Sequence, residues 1–197
     1  VRAVPAVDGN DPLLINCVKG GIHNVLTMMR LNSRWASSKR FTTEIPLHAE
    51  SPLTRGLKAL HDQLTLQRFR QLTEVDTVHY LRPFVDVVTS HDTSGPITGA
   101  ALSSLHKFLL YGFISPHASP RASEGVNLIA WGISQCVFEE TDQYGDEVVL
   151  MKLLELSALC LRCEVGALLS QECIWHIFSK CLAVSHDGGA GGGMGMG

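Results

Sequence analysis

The sequence predicts an all-α chain of about seven helices, and three observations carry that reading. Apolar residues recur at helical spacing along most of the 197 residues, a capping side chain followed by proline recurs ahead of apolar runs, and no alternating strand pattern competes. The clearest stretch is Leu81 to Ile114, two apolar helical patterns joined by a polar turn.

The elements follow in order. Asp11-Pro12-Leu13 signals a helix over 12–32, and Ser51-Pro52-Leu53 signals one over 52–72. Between them, Ala36 to Glu50 mixes Ser37, Ser38, Lys39, Arg40 and Pro46 and reads as a surface loop. A third helix over 77–89 is marked by Leu81, Phe84, Val85, Val87 and Val88, with Pro83 suited to a first turn where its missing N–H is not needed. His91, Asp92, Thr93, Ser94 and Gly95 break it. Thr93 or Ser94 is then expected to cap a fourth helix over 95–113, with Pro96 just inside. Ile97, Ala101, Leu102, Leu105, Phe108, Leu109 and Phe113 form its apolar stripe, and Gly99, Ala100, Ser103 and Ser104 are small enough to admit a close neighbour.

Beyond a Ser- and Pro-rich connection at 117–123, helices are predicted over 123–138, 145–162 and 170–185. Glu139, Glu140, Asp142, Asp146 and Glu147 read as charges favouring the dipole of the sixth helix, whose run Val148 to Leu154 is apolar on more than one face, as in a helix packed between two others. Residues 1–11 are expected to be a flexible N-terminus, 12–187 one helical domain, and 188–197, GGAGGGMGMG, a glycine-rich linker or insertion. A chain beginning at Val1 reads as a piece of something longer. The pattern alone fits either a bundle or a stack of helix pairs.

The totals narrow function by exclusion. A net charge of -3 leaves no electrostatic footprint for nucleic acid, and no apolar run is long enough for a transmembrane helix. Charged residues make up 18% of the chain, below the roughly 25% usual for soluble domains, so either much of it is buried or apolar surface awaits a partner. The six cysteines mostly fall on apolar helical faces, where reduced thiols act as small hydrophobes, which points to a reducing, cytoplasmic compartment.

Candidate chemistry is sparse. Cys160-x-x-Cys163 with Cys173-x-x-His176 is a ligand inventory zinc would accept, but two pairs on helices suit core thiols better than a zinc knuckle, so no metal or other cofactor is expected. No Gly-x-Ser-x-Gly elbow occurs, and His91-Asp92 lie in a turn without a nucleophile. The turn from Ser94 to Gly99 lacks the Gly-x-x-x-x-Gly-Lys pattern of a nucleotide site.

Three strings carry a family resemblance: LRPFVDVV at Leu81 to Val88, DTSGPITGAALSSLHKFL at Asp92 to Leu109, and DEVVLMKLLELSAL at Asp146 to Leu159. Asn32-Ser33-Arg34-Trp35 and Val165-Gly166-Ala167 add weaker support. In order and spacing the chain resembles the N-terminal dimerisation and cyclophilin-binding (DCB) domain of the large Arf guanine-nucleotide exchange factors, of the Golgi-specific brefeldin-A-resistance/GNOM branch. That resemblance implies an armadillo-like helical solenoid with a regulatory role, the exchange reaction belonging to a separate downstream domain. It implies self-association as a homodimer, contact with the adjoining helical homology domain, and indirect placement on cis-Golgi membranes in vesicle trafficking. Rab or Arf-family GTPases and cyclophilin would be further partners. The sister trans-Golgi branch, whose equivalent domain binds an Arf-like GTPase, is the alternative, and a zinc-binding protein a remote one. The residues that resemble the family's association residues are Lys107 and Glu147. Each could instead be an ordinary surface charge.

Overall fold

A computed structural model of the chain describes residues 12–39, 50–67, 69–138 and 143–187, and over them the fold is all-helical. Seven α-helices are described: α1 (Pro12–Lys39), α2 (Pro52–Leu66), α3 (Thr77–Val88), α4 (Gly95–Leu110), α5 (Ala122–Ser134), α6 (Gln143–Arg162) and α7 (Gln171–Asp187). Short 3-10 turns at Leu72–Glu74 and Glu164–Leu168 precede α3 and α7. The glycine-rich tail, the first 11 residues and the acids Glu139, Glu140 and Asp142 lie outside the described residues.

The helices stack in two rows. In one, α1 packs on α4 and α4 on α6; in the other, α2 packs on α3, α3 on α5 and α5 on α7. Contacts of α1 with α2, α3 with α4, and α5 with α6 join the rows. Most contacts fall between helices near in sequence, the arrangement of an armadillo-like solenoid.

The core is a continuous apolar seam between the rows, and its centre is aromatic. Phe108 of α4 meets Tyr80 and Phe84 of α3 edge-on, with ring centroids 6.2 and 5.2 Å away, and stacks on Phe113 at 5.2 Å. The end of α4 makes this possible. Gly112 takes a left-handed φ of 66°, its N–H donates to the Leu109 carbonyl at 3.2 Å, and the Phe113 N–H donates to the Phe108 carbonyl at 2.9 Å. This is a Schellman stop, which closes the helix and folds the residue after the glycine back onto the last turn. It ends α4 at Leu110, three residues before the expected boundary.

Other departures from the sequence reading have local causes. α2 ends at Leu66 because Leu72, together with Val75, is buried from a separate 3-10 turn rather than from a continuing helix. α1 continues through Ser37 and Ser38 to Lys39, since nothing before Pro46 forbids a helix there. Pro83 sits at the seventh position of α3 rather than in its first turn. The carbonyl it leaves without a helical N–H belongs to His79, which is solvent-exposed.

Neither predicted serine cap uses its side chain. Ser51 and Ser94 occupy the N-cap positions of α2 and α4, but only their backbone carbonyls take part, accepting from Arg55 N–H, and from Ile97 and Thr98 N–H, at 3.0–3.1 Å. Thr93 turns the other way. Its hydroxyl lies within hydrogen-bond distance of the Val87 and Ser90 carbonyls (3.2 and 2.9 Å) and of Thr98 Oγ1 (3.0 Å), stapling the end of α3 to the start of α4. Side-chain caps are supplied instead by Ser170, whose Oγ accepts the Cys173 N–H of α7 at 3.2 Å, and by Asp76. Asp76 Oδ1 accepts the His79 N–H at 3.0 Å. Its Oδ2 accepts from Arg121 at 3.2 Å, and Arg121, held at φ 54°, also pairs with Glu124, so one cluster joins the beginnings of α3 and α5.

The closest helix crossings rest on glycine. A Cβ at Gly125 would run into the Thr77 side chain, and one at Gly132 would come within 2.9 Å of Val85, so α3 and α5 approach at two positions seven residues apart. The small residues of α4 act similarly: Gly95 and Gly99 face Val149 of α6, while Ser104 faces Gly21 of α1.

Candidate interaction site

Lys107 and Glu147 do not meet within the chain. Lys107 is exposed near the end of α4, whereas Glu147 is exposed in the first turns of α6, which lie against Gly95 and Gly99 at the beginning of α4. Twelve residues of helix separate Gly95 from Lys107, about 18 Å along the axis. Each charge therefore belongs to its own local surface.

The surface around Lys107 is concave. A cavity of about 420 Å³ opens between α1 and α4, lined by Cys17, Gly20, Gly21 and Asn24 on one side and Ser104, Lys107, Phe108, Tyr111 and Phe113 on the other. Phe108 and Phe113 are fully buried and make an apolar wall, fixed by the Schellman stop, while Tyr111 is half exposed at the mouth. Among the described residues no carboxylate lies within ion-pair distance of Lys107.

A second surface lies on α7. Trp175, Phe178 and Leu182 follow one another at helical spacing and are 69%, 52% and 62% exposed, and α5, on which α7 packs, exposes Trp131. The opposite side of α7 holds the contact with the stack through buried Ile177 and half-buried Cys173 and Cys181. Lys180 donates to the Cys136 carbonyl at 3.0 Å, and Asn127 of α5 donates to the Leu168 carbonyl at 3.2 Å and accepts the Ser170 N–H at 2.9 Å.

The zinc inventory is spent on packing. Cys160 is buried, and burial pushes its thiol up to about 12; Cys163, also raised by burial, contacts the Cys160 carbonyl at 3.5 Å, and Cys173 contacts the Asn127 carbonyl at 3.8 Å. Thiols raised in this way hold their protons at neutral pH and pack as small apolar groups. No group of three or more His, Cys, Asp or Glu among the described residues is arranged to hold a metal ion. His91 and Asp92 sit in an exposed turn, with the Asp92 N–H bonded to Ser90 Oγ.

Neither surface is a cluster of reactive groups: one is a recess between two helices and the other an exposed apolar face. Known proteins are similar over most of this length. The Arabidopsis thaliana ARF guanine-nucleotide exchange factor GNOM is 32% identical over 168 residues, 85% of the chain, and the ARF guanine-nucleotide exchange factor GNL1 of the same plant is 34% identical over 170 residues, 86% of the chain. The chain belongs to the large Arf guanine-nucleotide exchange factor family. A Caenorhabditis elegans relative, the Golgi-specific brefeldin A-resistance guanine nucleotide exchange factor 1 homolog, is 33% identical over 144 residues, 72% of the chain. The chain spans 11% of each plant exchange factor and 7% of the nematode one. No protein-family model matches it.

The sequence reading named Lys107 as a candidate and missed the cavity beside it. Gly20-Gly21, two helix-weakening residues in the middle of α1, was the available signal for a close crossing and an opening beside it. The α7 stripe had a signal too, since apolar residues at 173, 174, 177, 181 and 184 already supply a core face and leave 175, 178 and 182 in excess. The run from Val148 to Leu154, expected to be enclosed by neighbours, is only partly so: α6 packs on α4, α5 and α7, but Met151 is 53% exposed. Among the described residues no helix is long and apolar enough to cross a membrane.

Proposed function

We propose that this chain is a non-catalytic regulatory domain of an Arf exchange factor, the dimerisation and cyclophilin-binding domain of the Golgi-specific branch. In this reading it self-associates, contacts the adjoining helical homology domain, and helps hold the exchange factor on the cytoplasmic face of cis-Golgi membranes. Rab or Arf-family GTPases and a cyclophilin are its further proposed partners. The supporting observation is surplus apolar surface: α7, at the end of its row, presents Trp175, Phe178 and Leu182 to solvent along one face. Contiguous exposed apolar residues of this kind mark a surface that another body covers, and helical stacks grow by adding helices to such faces.

Lys107 and Glu147, held apart by the length of α4, would each meet a charge on another body. Exposed pairs contribute about 0–1 kcal/mol, whereas removing one member of a desolvated pair costs about 3–5 kcal/mol, so the two cases differ by a measurable shift in assembly. Sedimentation equilibrium of the wild type against Lys107→Ala plus Glu147→Ala at micromolar concentration tests this. The expected result is a dimer that the double substitution dissociates; identical masses would remove both residues from the interface.

A further inference from the structure

Glycine usage in α1 bears on the cavity beside Lys107. Glycine is the least favourable residue after proline in a helix interior, yet two stand together at Gly20 and Gly21. Packing constrains only the second. A Cβ at Gly21 would lie 3.2 Å from Ser104 Oγ and 3.4 Å from ring carbons of Phe108 and Phe84, a tight fit to which those neighbours would have to yield by a few tenths of an ångström. A Cβ at Gly20 would meet no atom within 4 Å. Since Gly20 lines the cavity, a side chain there would occupy the opening without disturbing the helix crossing.

The cavity has the make-up of a small-ligand site. Its volume of about 420 Å³ lies within the range of roughly 300–1,000 Å³ usual for such sites, and its lining combines an aromatic wall of Phe108, Tyr111 and Phe113 with polar groups on Asn24, Ser104 and Lys107. Lys107 is the cation among its lining residues. Neither α1 nor α4 contains a single Asp or Glu, although the chain has 19, so the field at the mouth favours an anion.

We propose that this cavity binds a small amphiphile with one anionic head, of the class of short fatty carboxylates, its apolar body against Phe108 and Tyr111 and its carboxylate on the Lys107 ammonium. Every lining residue belongs to one chain, and because Lys107 is also the residue proposed above to pair in self-association, ligand and partner would compete for its charge.

The test titrates isotope-labelled 197-residue chain with octanoate and, separately, with octan-1-ol, following backbone amide shifts in the wild type, Gly20→Leu and Lys107→Gln. Leucine is a better helix former than glycine, so the plugged variant should keep its fold. Octanoate is expected to shift Gly20, Asn24 and Tyr111 in the wild type and to leave Gly20→Leu unmoved. Lys107→Gln should weaken octanoate by about tenfold while leaving octan-1-ol unchanged, as loss of a charge-assisted contact requires. An unresponsive wild type, a plugged variant that binds as well as the wild type, or equal weakening of acid and alcohol would each overturn the proposal. Sedimentation of the same samples reports self-association separately. If Gly20→Leu changes the mass while the wild type ignores octanoate, the cavity receives a side chain of a second copy and the ligand assignment falls.

Discussion

Helices α4 and α7 are nearly equal in length and both are rich in apolar residues, yet they live in different surroundings. Eleven of the 16 residues of α4 are buried, whereas Ile177 is the buried residue among the described side chains of α7. The number of apolar residues does not account for the difference, since about half of each helix is apolar. Position does: α4 touches α1, α3 and α6, while α7 leans on α5 and α6 from one side only. Hydrophobicity in a stacked fold therefore reports the number of intended neighbours, and a helix with more apolar faces than neighbours has places still to fill.

The largest effect should come from the enclosed side of this comparison. Phe108→Ala removes a ring in contact with three others and should cost about 3–5 kcal/mol, read as a lower urea midpoint at unchanged slope. A loss below about 1 kcal/mol would mean that α4 is not the centre of the core.

A middle-sized effect belongs to the junction of α3 and α5. Asp76→Ala should cost about 1 kcal/mol at neutral pH through loss of the cap. Partial burial of Asp76 opposes ionisation, but the His79 N–H and the Arg121 guanidinium outweigh it and hold the carboxyl below the usual aspartate range. A lowered folded value means that the stabilisation is present above the ordinary pKa near 4 and fades as pH falls through the lowered one. Denaturation midpoints of wild type and variant should therefore converge at low pH, and a constant gap would remove the carboxylate charge from the explanation.

The smallest effect is expected on the open side. Trp175→Ser together with Phe178→Ser should change the stability of the isolated chain by no more than about 1 kcal/mol in total, since both side chains already face water. A cost comparable to that of Phe108→Ala would show that the α7 face is enclosed after all, and the contrast between the two helices would collapse.

Much of this architecture was legible in the sequence, because a helix announces itself within a dozen residues. The seven helices, the break at His91 to Gly95 and the small-residue face of α4 all follow from local spacing. Side-chain roles were less legible. Thr93 and Ser94 have the chemistry of caps, but whether a hydroxyl reaches forward to its own helix or back to the preceding one depends on where α3 lies. Gly112 was a readable stop signal that the apolar run to Phe113 concealed. For the candidate site, Lys107 was reached through resemblance, whereas the cavity beside it depends on α1 and α4 meeting across some 80 residues of chain, which no local pattern encodes.

The Schellman stop at Gly112 also bears on how the chain folds. It turns Phe113 back onto Phe108, and with Tyr80 and Phe84 the whole aromatic cluster is drawn from one short span, α3 to the turn after α4. Joining groups so near in sequence costs about 1 kcal/mol less loop entropy than bringing α1 onto α4, which favours this span as the part of the seam that forms first.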